Sequence, residues 1–176
     1  MPIVIMPLTQ ANFRIDSLDS FIRHQEINEC WRNVDGEWQL CPAVFTEDWD
    51  RARLRSEAED ILRTIGAGLP VIGALDGERV VGYAQLGNRL GKRGQYVELV
   101  SFHVSAPYRG QGIGRRLFAA ICDAARALGA EKLYISAHSS RESQAAYRAL
   151  GCIHAAEVDA VRAEREPCDV QIEYVL

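Results

Sequence analysis

Glycines 110, 112 and 114 alternate through the stretch Val104-Ser105-Ala106-Pro107-Tyr108-Arg109-Gly110-Gln111-Gly112-Ile113-Gly114, with Arg115 and Arg116 directly after it. Glycine has no Cβ, so a ligand can reach the backbone N–H groups of such a loop. Apolar patterning reads as a strand before the loop and a helix after it. The loop amides are therefore the unpaired donors of a helix N-terminus, where the macrodipole favours an anion. A pyrophosphate suits such a site best, because it accepts several N–H bonds at once. A simple reversal of direction needs one glycine, not three alternating ones. Other phosphate and nucleophile motifs fail. Gly114 comes one place too early for GxGxxG. Between Gly87 and Gly91-Lys92 there are three residues where a P-loop has four, and Arg93 replaces the Ser or Thr that would hold Mg²⁺. No GxSxG is present.

The elements that must hold this loop follow from periodicity. Residues 3–6 read as a short strand and 10–24 as a helix carrying Phe13, Leu18, Phe21 and Ile22. Residues 25–45 read as irregular, with Trp31, Trp38 and the turn Asp35-Gly36. Leu54, Ala58, Ile61, Leu62 and Ile65 form one stripe of a helix over 47–65, capped by Thr46. Strands follow at 70–75 and 79–86 around Asp76-Gly77, a hairpin signal. A basic turn at 87–94 leads to a third strand at 95–104. Ile113, Leu117, Phe118, Ile121, Ala125 and Leu128 define a helix over 112–128, and 132–137 is another strand. Ser139 and Glu142 offer a capping box for a helix over 140–149, closed by Gly151. The tail reads as strands at 152–158 and 169–175 around a charged, solvated loop. Hairpins plus one crossover predict a mixed sheet with helices on both faces.

Composition sets outer bounds. At 176 residues, 48% hydrophobic and 25% charged, the chain is expected to be a single domain, 1–176, with a sizeable core. A net charge of -4 argues against nucleic acid as a partner. No apolar run is long enough to span a bilayer, and the N-terminus lacks the basic region of a secretory signal, so a cytoplasmic location and no membrane partner are expected. Five cysteines at wide spacing and four unclustered histidines predict reduced thiols and no metal site.

The segment Arg109-Gly110-Gln111-Gly112-Ile113-Gly114 resembles the Arg/Gln-x-x-Gly-x-Gly/Ala signature of the GNAT superfamily of N-acetyltransferases. Glu98-Leu99-Val100-Ser101-Phe102-His103-Val104 resembles that family's preceding strand. Tyr147-Arg148-Ala149-Leu150-Gly151 resembles its Tyr-x-x-x-Gly helix end. The motifs cover about 80–158, and the N-terminal half matches in layout. The resemblance implies a mostly antiparallel α/β sheet of about seven strands flanked by about four helices. It also implies a cofactor-binding core over 80–158, an acceptor side over 1–66 and acetyl-CoA as co-substrate. Gly110, Gln111, Gly112, Ile113 and Gly114, with Arg109 and Arg115, would take the pyrophosphate. The backbone of Phe102, His103 and Val104 would pair with pantetheine, and Ser139 and Tyr147 would complete the cofactor side. Two positions depart from the family pattern: His138-Ser139-Ser140 where many members carry Asn, and Cys152 where many carry Phe.

Acetyl transfer to an amine needs a proton acceptor, an oxyanion donor and a proton for the departing thiolate. Strand alternation puts Glu98 on one face with Tyr96, Val100, Phe102 and Val104, where desolvation would favour a base, direct or through water. The resemblance implies Tyr147 as the acid and the Val104 N–H as the oxyanion donor. His103 reads as a partly buried strand residue. Trp31, Trp38 and Trp49 read as packing, and Glu47, Asp48 and Asp50 as first-turn acids. The expected reaction is direct attack by a primary amine of a small molecule or peptide in a ternary complex. A non-catalytic CoA-sensing module and a nucleotide-binding domain are the alternatives. A homodimer through 169–175 is expected if that edge is exposed.

Overall fold

The computed structural model describes all 176 residues. Seven strands form the main sheet in the order β1-β4-β5-β6-β7-β9-β8: β1 Val4–Pro7, β4 Val71–Asp76, β5 Arg79–Leu90, β6 Tyr96–Val104, β7 Lys132–Ala137, β8 Ile153–His154 and β9 Val170–Val175. All neighbours are antiparallel except β6 and β7. β2 (His24–Val34) and β3 (Glu37–Asp48) form a separate hairpin. The helices are α1 Arg51–Gly66, α2 Ile113–Ala127, α3 Arg141–Leu150 and α4 Ala160–Arg165. No helix is long and apolar enough to cross a membrane.

Two cores sandwich the sheet. The stripe expected for α2 is buried except for Leu128, which caps the helix end and is exposed: Ile113, Leu117, Phe118, Ile121 and Ala125 pack on Val97, Leu99, Leu133 and Ile135, and Tyr147 and Leu150 of α3 join this cluster. On the other face Leu54, Ala58 and Ile61 of α1 meet Phe13, Leu18, Phe21, Val80 and Tyr83.

Several expected elements differ. Residues 10–20 form turns rather than a helix. Thr9 N–H donates to Asn12 Oδ1 and Arg14 N–H to Ser17 Oγ, so short polar side chains take backbone groups that a helix would need. Residues 25–45, expected to be irregular, lie within the β2–β3 hairpin. A register shift between Ile27 and Glu29, whose extra residue falls on β3, interrupts the pairing, and Ile27 and Cys30 of β2 are both buried at a spacing of three. Its turn is the expected Asp35-Gly36, with φ of 51° and 89°. Because Thr46–Asp48 pair with β2, α1 starts later and is capped by Asp50, which accepts from Arg53 N–H at 2.8 Å. β5 runs on through Gly87 to Leu90. α3 is capped by Ser140, not Ser139. Between β8 and β9 the charged stretch folds into α4. β9 lies between β7 and β8, so β8 forms the sheet edge.

Candidate active site

β6 and β7 pair only over Tyr96–Glu98 and Lys132–Tyr134. Beyond that point they splay, and neither Leu99–Val104 nor Ile135–Ala137 has a strand partner across the gap. A bulge accompanies the splay: Gln85 pairs with Ser101 and Leu86 with Leu99, so Val100 is the extra residue. This corrects the expected shared face. Tyr96 and Glu98 lie on the face of Ser101 and His103, whereas Phe102 and Val104 lie with Val97 and Leu99 toward α2. A cleft of about 1530 Å³ opens here, lined by β6, β7, α1, α3 and the ends of the β2–β3 hairpin.

The glycine loop lies where β6 hands over to α2. Gly110 and Gly112 have φ of 74° and 77°, and a Cβ on either would meet nothing within 4 Å. The N–H groups of Gln111, Gly112, Ile113, Gly114 and Arg115 donate to no group of the protein. An open run of amides on a helix N-terminus fits a pyrophosphate. Arg115 makes no hydrogen bond or ion pair and is the cation left for such a ligand. Arg109 is engaged elsewhere, since its Nε donates to Val104 O and its Nη1 to His24 O, tying β6 to β2. Arg116 donates to Ile3 O.

Phe102 bridges loop and helix. Its ring lies 5.8 Å from Phe118 and 6.1 Å from Tyr147, and a Cβ on Gly114 would approach it at 3.7 Å. Tyr147 lines the cleft, and its hydroxyl has no protein partner. Burial pushes its pKa up, so the hydroxyl keeps its proton at neutral pH. Ser139 is buried and engaged with the hairpin: its Oγ accepts from Arg32 Nη1 at 2.6 Å and its carbonyl from Trp31 N–H at 2.7 Å.

Glu98 lines the cleft without the apolar surroundings expected for it. Arg162 of α4 donates through Nε and Nη2 to its two oxygens, at 3.2 and 2.8 Å. Asp169, expected in a solvated loop, is half-buried at the cleft and accepts from Ser136 Oγ at 3.2 Å, and burial raises its pKa. The charged stretch that precedes it, Arg162 to Glu166, makes the segment read as solvated and hides this burial. Asp159 Oδ1 accepts from Arg162 N–H, a three-residue capping spacing that is the legible sign of α4. Glu47, expected in a first turn, lies in β3, takes Arg23 on one oxygen and His138 on the other, and has a lowered pKa, chiefly from the His138 hydrogen bond. His138 Nδ1 accepts from Ser140 N–H, so its Nε2 carries the proton toward Glu47. His103 packs against Trp49 and Tyr83. Burial first, and then Arg23 and Arg109, push its pKa down to about 3.

A mostly antiparallel sheet, splayed beside an amide-lined anion loop, is the frame of an acyltransferase. Residues 28–152 match the Acetyltransferase (GNAT) family, and the chain belongs to it. Among solved structures, nourseothricin acetyltransferase aligns with a TM-score of 0.70 and 13% identity over 99% of both chains. A Bacillus anthracis str. Ames protein assigned as a streptothricin acetyltransferase, in complex with acetyl coenzyme A, aligns at 0.68 and 15% identity over 100% of this chain and 98% of its own. PaiA N-acetyltransferase from Thermoplasma acidophilum, in complex with coenzyme A, aligns at 0.63 and 16% over the whole of both. At these identities the likeness establishes the fold. No curated protein matches the sequence.

Proposed function

We propose that this acyltransferase moves an acetyl group from acetyl-CoA to a primary amine by direct attack in a ternary complex. The run of unpaired amides from Gln111 to Arg115, at the mouth of the splayed strands, carries the reading. The bound acetyl-CoA and CoA of two structural neighbours support the choice of donor. The loop amides and Arg115 hold the pyrophosphate, and the unpaired edge of β6 from Phe102 to Val104 receives the pantetheine arm. The amine nitrogen bonds to the acetyl carbon as the carbon–sulfur bond breaks. The amine proton passes to a cleft carboxylate, Glu98 through water because Arg162 occupies its oxygens. Asp169 is the second base candidate, favoured by its raised pKa. Tyr147 supplies the proton to the departing sulfur, and the Val104 N–H faces the acetyl oxygen. Calorimetric titration with CoA, followed by thiol release from acetyl-CoA across an amine panel, tests the reading. CoA affinity with amine-dependent release supports it. CoA affinity with no acceptor-dependent release would make the protein a non-catalytic CoA module instead.

A further inference from the structure

The acceptor side of the cleft holds a buried guanidinium with a donor to spare. Arg23 enters the fold just before β2, and its side chain is only 8% exposed. Its Nη2 donates to Glu47 Oε2 at 3.2 Å, while its Nη1 is buried without any partner. The other oxygen of Glu47 is engaged by His138. An unpaired, buried, charged N–H is costly to fold around, so such groups call for an explanation beyond the fold. Arg23 and Arg53 lie 5.6 and 5.0 Å from the centre of the same Trp49 ring, and Arg109 is nearby. Of the other carboxylates on this wall, Glu57 accepts from the Tyr83 and Ser101 hydroxyls and Asp60 pairs with Arg63. A second orphan of opposite polarity lines the same cleft: with Gln85 Nε2 placed on Thr64, its buried Oε1 has no donor.

We propose that the acceptor is an amine that also carries a carboxylate, an amino acid or a close analogue, and that Arg23 Nη1 donates to that carboxylate. This rests on the acetyl-transfer reading and narrows its substrate. A guanidinium matches a carboxylate in charge and in planar geometry. Gln85 Oε1 is the complementary acceptor for an N–H or O–H elsewhere on the same molecule.

The test compares glycine, β-alanine, leucine and lysine, each against its own amide, by thiol release from acetyl-CoA. The acids should exceed the amides in kcat/KM by about ten- to a hundredfold, the range of a charge-assisted hydrogen bond. Arg23→Gln should erase that preference, and Arg23→Lys should restore part of it. Should Arg23→Gln fail to fold, the wild type decides: propionate should compete with the amine acceptor and propionamide should not. Equal rates for acids and amides, or no inhibition by propionate, would overturn the proposal and leave Nη1 to a bound water. If CoA does not bind, the acetyl-transfer reading falls by itself. Calorimetric titration of the protein with the same acids and amides still reads Arg23: acid-selective binding supports the carboxylate site, and equal binding refutes it.

Discussion

Gly112 and Tyr147 divide the residue-scale chemistry between holding and proton delivery. Gly112 adopts φ of 77° with open space around its missing Cβ. A side chain there meets no protein atom, so the damage from Gly112→Val comes from left-handed strain, about 1–2 kcal/mol, and from obstruction of the amide run. CoA affinity measured by calorimetry should fall at least about tenfold, since 1.4 kcal/mol is one decade, while the protein still folds. Unchanged affinity in the folded variant would remove the pyrophosphate from this loop. Arg115→Ala should give a smaller, salt-dependent loss, because an exposed cation is screened. Tyr147 is different in kind: its hydroxyl is unpartnered, its proton is held by burial, and its ring packs on Phe102. Tyr147→Phe keeps the ring and deletes only the donor. General acids contribute ~10²–10⁴-fold, and a thiolate leaves readily, so kcat should fall toward the lower end. A loss seen wholly in KM for acetyl-CoA would make the hydroxyl a binding contact.

At the scale of elements, the six-residue α4 is too short to be helical by itself and depends on its anchor. That anchor is the paired contact from Arg162 to Glu98, with side chains 14% and 13% exposed. Arg162→Gln strands a mostly buried carboxylate, which should destabilise the protein by roughly 3 kcal/mol and open 157–169 to limited proteolysis. The double replacement Arg162→Met with Glu98→Leu should recover much of the stability. If activity stays lost in that stable double variant, Glu98 acts in the chemistry; if activity returns, the pair only fastens α4 and Asp169 becomes the base. Strong local signals are legible in the sequence: α2, apart from Leu128 at its end, the Asp76-Gly77 turn and β7 stand where their patterns put them. What escapes lies at bulges and long-range contacts. One extra residue at Val100 turns Ser101 and His103 toward α1 and Phe102 toward α2, and a similar shift after Ile27 hides the β2–β3 hairpin. Period-two reasoning cannot survive such an insertion. Arg23 and Asp169 gain their character only from partners brought by distant segments, Glu47 for one and Ser136 for the other.

Across the whole molecule, the acceptor wall leaves a mark on stability against pH. His103 is gripped between Trp49 and Tyr83 and surrounded by Arg23, Arg109 and Arg53, so the folded protein resists its protonation until about pH 3. In the unfolded chain the same imidazole takes its proton near pH 6.5. Below that pH the unfolded state binds more protons than the folded one, so stability must decline as pH falls. The contribution is complete above about pH 6.5 and is lost toward pH 3, with a slope of at most ~1.4 kcal/mol per pH unit. Glu47 and Glu173 have lowered pKa values and also lose stability on acidification, but only below the ordinary carboxylate range. Asp169, raised by burial, works in the opposite sense: it gains stability as pH falls, from above the ordinary aspartate value. Over the interval from pH 7 to pH 5, the difference between the wild type and His103→Gln reads the His103 share, because the other three histidines are common to both proteins. Urea unfolding at the two pH values should show the wild type losing up to ~2 kcal/mol. His103→Gln removes this imidazole and keeps the other three histidines, so it should show a flatter dependence. Equal slopes in the two proteins would mean that the imidazole is reached by water and protonates in the folded state, and the positive wall around Trp49 would be weaker than its three arginines imply.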